Sequence, residues 1–299
     1  MNYISIRQSD KWDEYLKFLG WRILKTKKGT KIAILKTFIG NVTKIQRLKK
    51  FDEQELKDIE DLCIKNKALF IKIEPMQDQD MSVLTENGYR NSAFPLSPTS
   101  TLLINLEKSE EDLWKDLSPS CRYSIKRAQR EGSRVECIQN PSEEQLAVFY
   151  KIAKETSKHF KFYMQPINDL LEKRRIFKDE CFLVNVYKKE DELLAGKFFV
   201  GDQKIVTYTL GGTAREGRKG KWGYALQWEA ILYFKRMGYK LMDLEGVDDS
   251  RFKMFTKNWG GFSYFKEKFG GIRIEFPMPQ VKYLHPFFKL LSKFMNLPL

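Results

Sequence analysis

Histidine is nearly missing from this chain of 299 residues. Only His159 and His285 occur, far apart and in no recognisable motif, which argues against a Ser-His-Asp triad and against a His-ligated metal centre. The four cysteines, Cys63, Cys121, Cys137 and Cys181, are irregularly spaced with no CxxC pair, so neither a zinc site nor a disulfide framework is supported and reduced thiols are expected. No GxxxxGK[ST] loop is present, hence no sign of direct ATP use. Long apolar runs are also lacking. Met1 to Trp12 is polar where a signal peptide would be apolar, and no stretch could span a bilayer, so a cytoplasmic location is expected.

What the chain does have is positive charge. Lys and Arg number 53 against 39 Asp and Glu, a formal net charge of +14, and polyanions such as nucleic acid, anionic lipid or nucleotide-linked substrates are natural partners. Hydrophobic residues at 42% suffice for two domains, the number expected at this length. The C-terminal stretch from Tyr283 to Leu299 sets Leu284, Phe287, Phe288, Leu290, Leu291, Phe294 and Met295 against Lys289 and Lys293. Such a stripe suits packing on its own domain, or peripheral contact with a membrane as an amphipathic helix.

The order of elements repeats weakly between the halves. Trp21 to Thr26 and Lys31 to Thr37 form one expected hairpin through the Lys27–Gly29 turn, and Phe182 to Tyr187 and Leu193 to Val200 form another through Lys188 to Glu192. Each half then shows a helix and an apolar strand, Glu53 to Lys67 with Ala68 to Glu74, and Ala225 to Met237 with Lys240 to Glu245. A short helix ending in a glycine-aromatic break follows in each, at Asn87-Gly88-Tyr89 and at Asn258 to Phe262. Last strands are expected at Thr101 to Leu106 and Ile272 to Phe276. This is the order of a GNAT-type acyltransferase module, used twice in an α/β (α+β) chain.

Between the modules, Ser118 as N-cap, Pro119 in the first turn and Gly132 as stop delimit a helix. Arg122, Lys126 and Arg130 recur on it at i, i+4, i+8, a stripe able to meet phosphates, with Tyr123, Ile125 and Ala128 turned to the protein. The turn that would hold the pyrophosphate of coenzyme A reads Gly220 to Ala225, with Gly220 replacing Arg or Gln and a bulky Trp222 inserted, which weakens a CoA reading. Phe265-Lys266-Glu267-Lys268-Phe269-Gly270-Gly271 reads as a tight turn before a strand. Its glycines allow close approach, and its lysine could stabilise an oxyanion. Asp243, Glu245, Asp248 and Asp249 follow the central strand, more as loop caps than as bases.

These segments together resemble the FemABX family. Arg122 through Gly132 resembles its R-x-x-I-[KR]-[KR]-A pattern, Tyr224-Ala225-Leu226-Gln227-Trp228-Glu229-Ala230-Ile231 its Y-L-L-Q-W-E-A-I helix, Met242 to Val247 its Y-D-x-x-G-[IV] strand, and Phe265 to Gly271 its F-K-x-x-F-G-G ending. Gln8 to Trp12 and Ile71 to Pro75 resemble its first-domain motifs. The resemblance implies two tandem GNAT-like domains facing across a cleft, over 1–110 plus 277–299 and over 111–276, with no coiled-coil arm, as in compact FemX-like members. It implies transfer of an amino acid from aminoacyl-tRNA to the stem peptide of a peptidoglycan precursor, lipid II or UDP-MurNAc-pentapeptide, by a monomer without cofactor or metal. Lys266 and Phe265 would be catalytic. Arg122, Lys126, Arg130, Tyr224, Gln227, Trp228, Asp243, Phe269, Gly270 and Gly271 would bind substrate. The residues alone leave open an N-acyltransferase using acyl-CoA or an acyl-carrier thioester, and a noncatalytic RNA-binding protein.

Overall fold

The computed structural model describes residues 3–188, 192–292 and 297. The chain divides into two compact units, one of Arg7–Ser100, Asp249–Phe255 and Ile274–Leu299, the other of Met1–Ile6, Thr101–Asp248 and Thr256–Arg273.

In the first unit Ser9 caps α1 (Asp10–Phe18) by accepting from the amide of Trp12. Strands β1 (Arg22–Lys25), β2 (Lys31–Thr37) and β3 (Gly40–Leu48) then form an antiparallel ribbon. Asp52 caps α2 (Glu53–Lys65), which buries Leu56, Ile59 and Cys63 at helical spacing. The next strand, β4 (Ala68–Pro75), is buried along its whole length and runs parallel to β3, as a continuous apolar strand should. Helix α3 (Ser82–Glu86) and the short β5 (Arg90–Asn91) complete the first pass. The core joins Ile32, Ile34, Ile45, Ile71 and Ile73 of the sheet to the inner face of α2.

On the face of β4 opposite Ile71 and Ile73 stands Lys72, fully buried, whose ammonium donates to the carbonyl of Phe94. Burial lowers the lysine to about 8, against the opposing field of Glu74. Glu74 in turn accepts from the amides of Leu96 and Ser97 at 2.6 and 2.8 Å, so the segment after β5 is tied to the end of β4.

The second unit opens with β6 (Ser100–Asn105), α4 (Glu110–Asp116), α5 (Pro119–Arg130), β7 (Arg134–Gln139), α6 (Glu143–Phe160) and α7 (Ile167–Phe177). It continues through β8 (Cys181–Tyr187), β9 (Leu193–Asp202), β10 (Ile205–Thr213), α8 (Arg215–Gly220), α9 (Gly223–Arg236), β11 (Leu241–Asp243), α10 (Gly260–Glu267) and β12 (Ile272–Glu275). The seven strands lie in the order β12-β6-β11-β10-β9-β8-β7. Pairing of β10 with β11 is parallel and lasts only three residues, Ile205–Thr207 against Leu241–Asp243. From Tyr208 onward β10 stays with β9 alone, with a bulge between Tyr208 and Leu210, so the sheet opens beyond Asp243.

Strand β13 (Gln280–Tyr283) returns to the first sheet between β4 and β5, giving the order β1-β2-β3-β4-β13-β5, and α11 (Pro286–Leu291) follows. Phe288, Leu291 and Leu297 pack there against Leu69, Phe70 and Val281, while Phe287 and Leu290 stay exposed. Lys293, Phe294 and Met295 of the expected amphipathic tail, and residues 189–191 of the second hairpin turn, lie outside the described residues.

Three expectations need correction. The strand at Thr101 to Leu106 belongs to the second sheet, because β6 pairs with β11 and Leu244 donates to the carbonyl of Leu102. The main segment of the second unit therefore begins near residue 101 rather than 111, Met1–Ile6 belongs to that unit too, and Asp249–Phe255 falls in the first unit, where Asp249 accepts from Ser100 and Arg251. Gly260 and Gly261 start helix α10 instead of ending one, so Lys266 lies in a last helical turn and not in a tight turn before β12. Among the described residues the longest helix is α6, at 18 residues.

Lys72 makes the first unit's stability pH-dependent. The folded lysine releases its proton near pH 8, the unfolded one near 10.5, so between these values the unfolded state binds more protons and the fold gains stability as pH rises. Lys72→Met removes this term. Denaturant midpoints from pH 7 to 10.5 should drift in favour of the wild type relative to Lys72→Met, by up to roughly 1.4 kcal/mol per pH unit. Parallel pH curves would mean that Lys72 keeps its proton in the fold.

Candidate functional site

The chain leaves β11 with Glu245 in the left-handed region, φ +52°. The carbonyls of Glu245 and Gly246 then turn away from the strand ladder and are met by one cation. Lys266 Nζ donates to Gly246 at 2.7 Å and to Glu245 at 3.3 Å. The side chain is only 6% exposed, and the rings of Tyr208 and Phe262 lie 5.2 and 5.1 Å from its nitrogen. Burial lowers Lys266 to about 8, with the carboxylates of Glu245 and Asp243 pulling the other way.

A second lysine, not anticipated from the sequence, stands beside it. Lys197 of β9 is 7% exposed, and its Nζ donates to Gln227 Oε1 of α9 at 2.6 Å. It lies 4.3 Å from the ring of Phe265 and 4.9 Å from that of Tyr208. Burial, then the charge of Lys266, holds Lys197 well below the ordinary lysine range. Its signal in the sequence is a lone cation within Leu193-Leu194-Ala195-Gly196-Lys197-Phe198-Phe199-Val200. Two residues support the pair. Gln227 donates through Nε2 to Met242 Sδ at 3.1 Å, which turns its carbonyl oxygen to Lys197. Gly211 leaves room for the Tyr208 hydroxyl, since a Cβ there would stand 1.9 Å from that oxygen. Burial pushes the Tyr208 phenol up, so it stays neutral.

The other expected site residues divide. Phe265 and Tyr224 join Gln227 and Lys266 at this site. Tyr224 is tilted against Phe265 at 4.8 Å and stacked on Phe269 at 5.7 Å, an aromatic wall. Phe269 is 1% exposed and belongs to the core, as does Trp228, which packs edge-on against Trp114 at 5.1 Å. Asp243 is buried and spent on structure, accepting from Tyr3 at 2.7 Å, from Thr101 and from the amide of Glu245. Burial and Glu245 push its carboxyl up. Gly270 and Gly271 allow close approach of protein rather than ligand, because a Cβ on them would stand 2.9 Å from Asp116 Cβ and 2.7 Å from the carbonyl oxygen of Leu103. Of the acidic residues after β11, Asp249 caps its loop. Hydrogen bonds from Arg251 and Ser100 outweigh its burial and hold the carboxyl well below the usual range.

The basic stripe is divided too. Arg122 donates through Nη1 to the carbonyls of Leu117 at 2.6 Å and Lys115 at 3.2 Å, so this edge of its guanidinium satisfies the end of α4. Lys126 and Arg130 remain exposed, with Lys126 Nζ 5.8 Å above the ring of Trp114. Tyr123, expected to face the protein, is 61% exposed and lies on the solvent side of α5. At the start of α9 the Trp222 indole is buried against Gly220, whose Cβ would come within 1.9 Å of its Nε1. The turn where CoA pyrophosphate would need bare backbone amides is thus filled by a side chain.

A model of the FemAB family matches residues 84–184, a span that includes α5. No curated protein sequence matches the chain. Among solved structures, FemX aligns at a TM-score of 0.79 with 16% identity, covering 96% of this chain and 94% of FemX. The L-PGS structure from Bacillus licheniformis aligns at 0.63 with 16% identity, covering 97% and 96%. A tandem GNAT protein from the clavulanic acid biosynthesis pathway aligns at 0.53 with 10% identity, covering 86% and 83%. The chain thus shares the fold of FemX, two mixed sheets in a tandem GNAT-like arrangement, and the FemAB family model matches it across α5.

Proposed function

We propose that this chain is an aminoacyltransferase that moves an amino acid from aminoacyl-tRNA to the stem-peptide amine of a peptidoglycan precursor, lipid II or UDP-MurNAc-pentapeptide. The FemAB match and the FemX-like fold support the coarser statement, an aminoacyl or peptidyl transferase of cell-wall synthesis. The observation that carries the reading is Lys266, an ammonium held in the opening of a sheet with two N–H groups committed to backbone carbonyls. Its third N–H can meet an oxyanion.

The ester of aminoacyl-tRNA is already activated, so attack by an amine needs no nucleoside triphosphate. Positioning and charge stabilisation do the work. As the amine attacks, negative charge grows on the carbonyl oxygen, and a preoriented cation in a water-poor site stabilises that charge more than it stabilises bound substrate. Phe265 and Tyr224 pack against each other beside Lys197 and add an apolar border. We take the enzyme to act as a cytoplasmic monomer, with α11 and its exposed Phe287 and Leu290 as a peripheral membrane contact.

An acyl-CoA donor is disfavoured by the buried Trp222 at the helix start. A purely RNA-binding role is disfavoured by two lysines buried side by side, an arrangement that costs stability and does nothing for surface binding.

Two measurements test this reading. With saturating aminoacyl-tRNA and a muramyl pentapeptide, Lys266→Met should keep the fold and lower transfer about 10²- to 10³-fold. Lys268→Met should do far less, since that ammonium lies 4.2 Å from the exposed ring of Tyr264. Near-normal transfer by Lys266→Met would contradict the assignment. In binding titrations against salt, Lys126→Ala and Arg130→Ala should each reduce the slope by about 0.7–0.9, the value of one phosphate that is no longer neutralised. Arg122→Ala should also lower the melting temperature, because its Nη1 satisfies the carbonyls at the end of α4. An unchanged slope in Lys126→Ala/Arg130→Ala would make the stripe a solvated face.

A further inference from the structure

Lys197 is the buried functional group that the transfer chemistry above leaves unused. We propose that Lys197 is the proton acceptor of the reaction, its neutral amine taking the proton of the attacking amine and returning it to the leaving ribose oxygen; this rests on the transfer reading above.

The geometry sets two amines around one ring. Tyr208 lies 4.9 Å from Lys197 Nζ and 5.2 Å from Lys266 Nζ, so both amines pack against the same ring. Two ammonium ions cannot share so dry an enclosure cheaply, and the proton goes to the amine with better acceptors. Lys266 has two backbone carbonyls and the field of Glu245 and Asp243. Around Lys197, α5 presents Cys121, α9 presents Gln227, β10 presents Tyr208, and α10 presents Phe265 and Lys266. None of these is an anion, since burial raises the Cys121 thiol to about 12 and keeps the Tyr208 phenol neutral. Lys197 is therefore the amine that gives up its proton, and one N–H donated to Gln227 leaves its lone pair for the substrate.

The step balances. The acceptor nitrogen forms a bond to the ester carbonyl carbon, and the resulting oxyanion meets Lys266. The proton on that nitrogen moves to Lys197 Nζ. Collapse breaks the carbon–oxygen bond to the ribose, whose oxygen takes the proton from Lys197, so the amide and a free hydroxyl result and Lys197 is neutral again.

The test combines a rate profile with a direct titration. Lys197→Met should lower transfer at pH 7 by at least about 10²-fold. It should also abolish the acid limb of the wild-type rate profile, where Lys197 is protonated. Should that variant not fold, Lys197→Gln carries the same expectation. NMR of lysine labelled at Cε should show one amine still neutral at pH 7 whose signal is missing from Lys197→Met. In Lys266→Met that signal should titrate at higher pH, and in Lys197→Arg the fixed charge should push Lys266 below about 8. A Lys197 signal that titrates near the ordinary value of 10.5, or wild-type transfer by a folded Lys197→Met, would overturn the proposal. If the wild type itself transfers nothing while Lys197 titrates as a neutral amine, the transfer reading fails and the base role falls with it. A wild type that transfers and a Lys197→Met equal to it would remove the base alone.

Discussion

Where the parallel ladder between β10 and β11 stops, after Thr207 and Asp243, the backbone groups that would have continued it need other partners. At the end of β11 the partner is an ammonium. Lys266 takes the carbonyls of Glu245 and Gly246, and in doing so it brings α10, Phe265 and a positive charge to the open sheet. The site thus grows out of a backbone accounting problem. A longer ladder would have closed the opening and taken one of those carbonyls, since successive carbonyls of a strand point to opposite neighbours.

Burial and a lowered lysine do not by themselves identify a functional site. Lys72 and Lys266 are both lowered to about 8 by desolvation. Yet Lys72 stands in the middle of a strand with Glu74 and the Phe94 carbonyl, and it ties down the segment that follows β5. Lys266 stands at the end of a sheet opening with aromatic rings and a second lysine around it. The surroundings, more than the shift, separate a structural cation from a candidate for chemistry.

Much of this was legible in the sequence, and the failures have physical causes. The hairpins and α5 follow from local signals, namely turn residues, the Ser118 cap, Pro119 and Gly132, which act within a few residues. Lys266 was legible only through a resemblance of motifs. Lys197 was not, because an isolated lysine in an apolar strand gains meaning only from Gln227 and Lys266, which lie far along the chain. Helical spacing likewise says which residues share a face but not that α4 ends beneath Arg122. The placement of β6 depended on β11, more than a hundred residues away, and two glycines at the start of α10 run against local helix preference.

The close approach of Gly211 to the Tyr208 hydroxyl has an evolutionary side. Solvent-facing positions of this chain can drift with little effect, and even core positions tolerate exchange among apolar residues of similar volume. Position 211 lacks that latitude, because a single added methyl would displace the phenol of the ring on which both amines pack. In a lineage that kept the chemistry, this bare stretch of strand would be among the slowest positions to change, although it carries no side chain of its own.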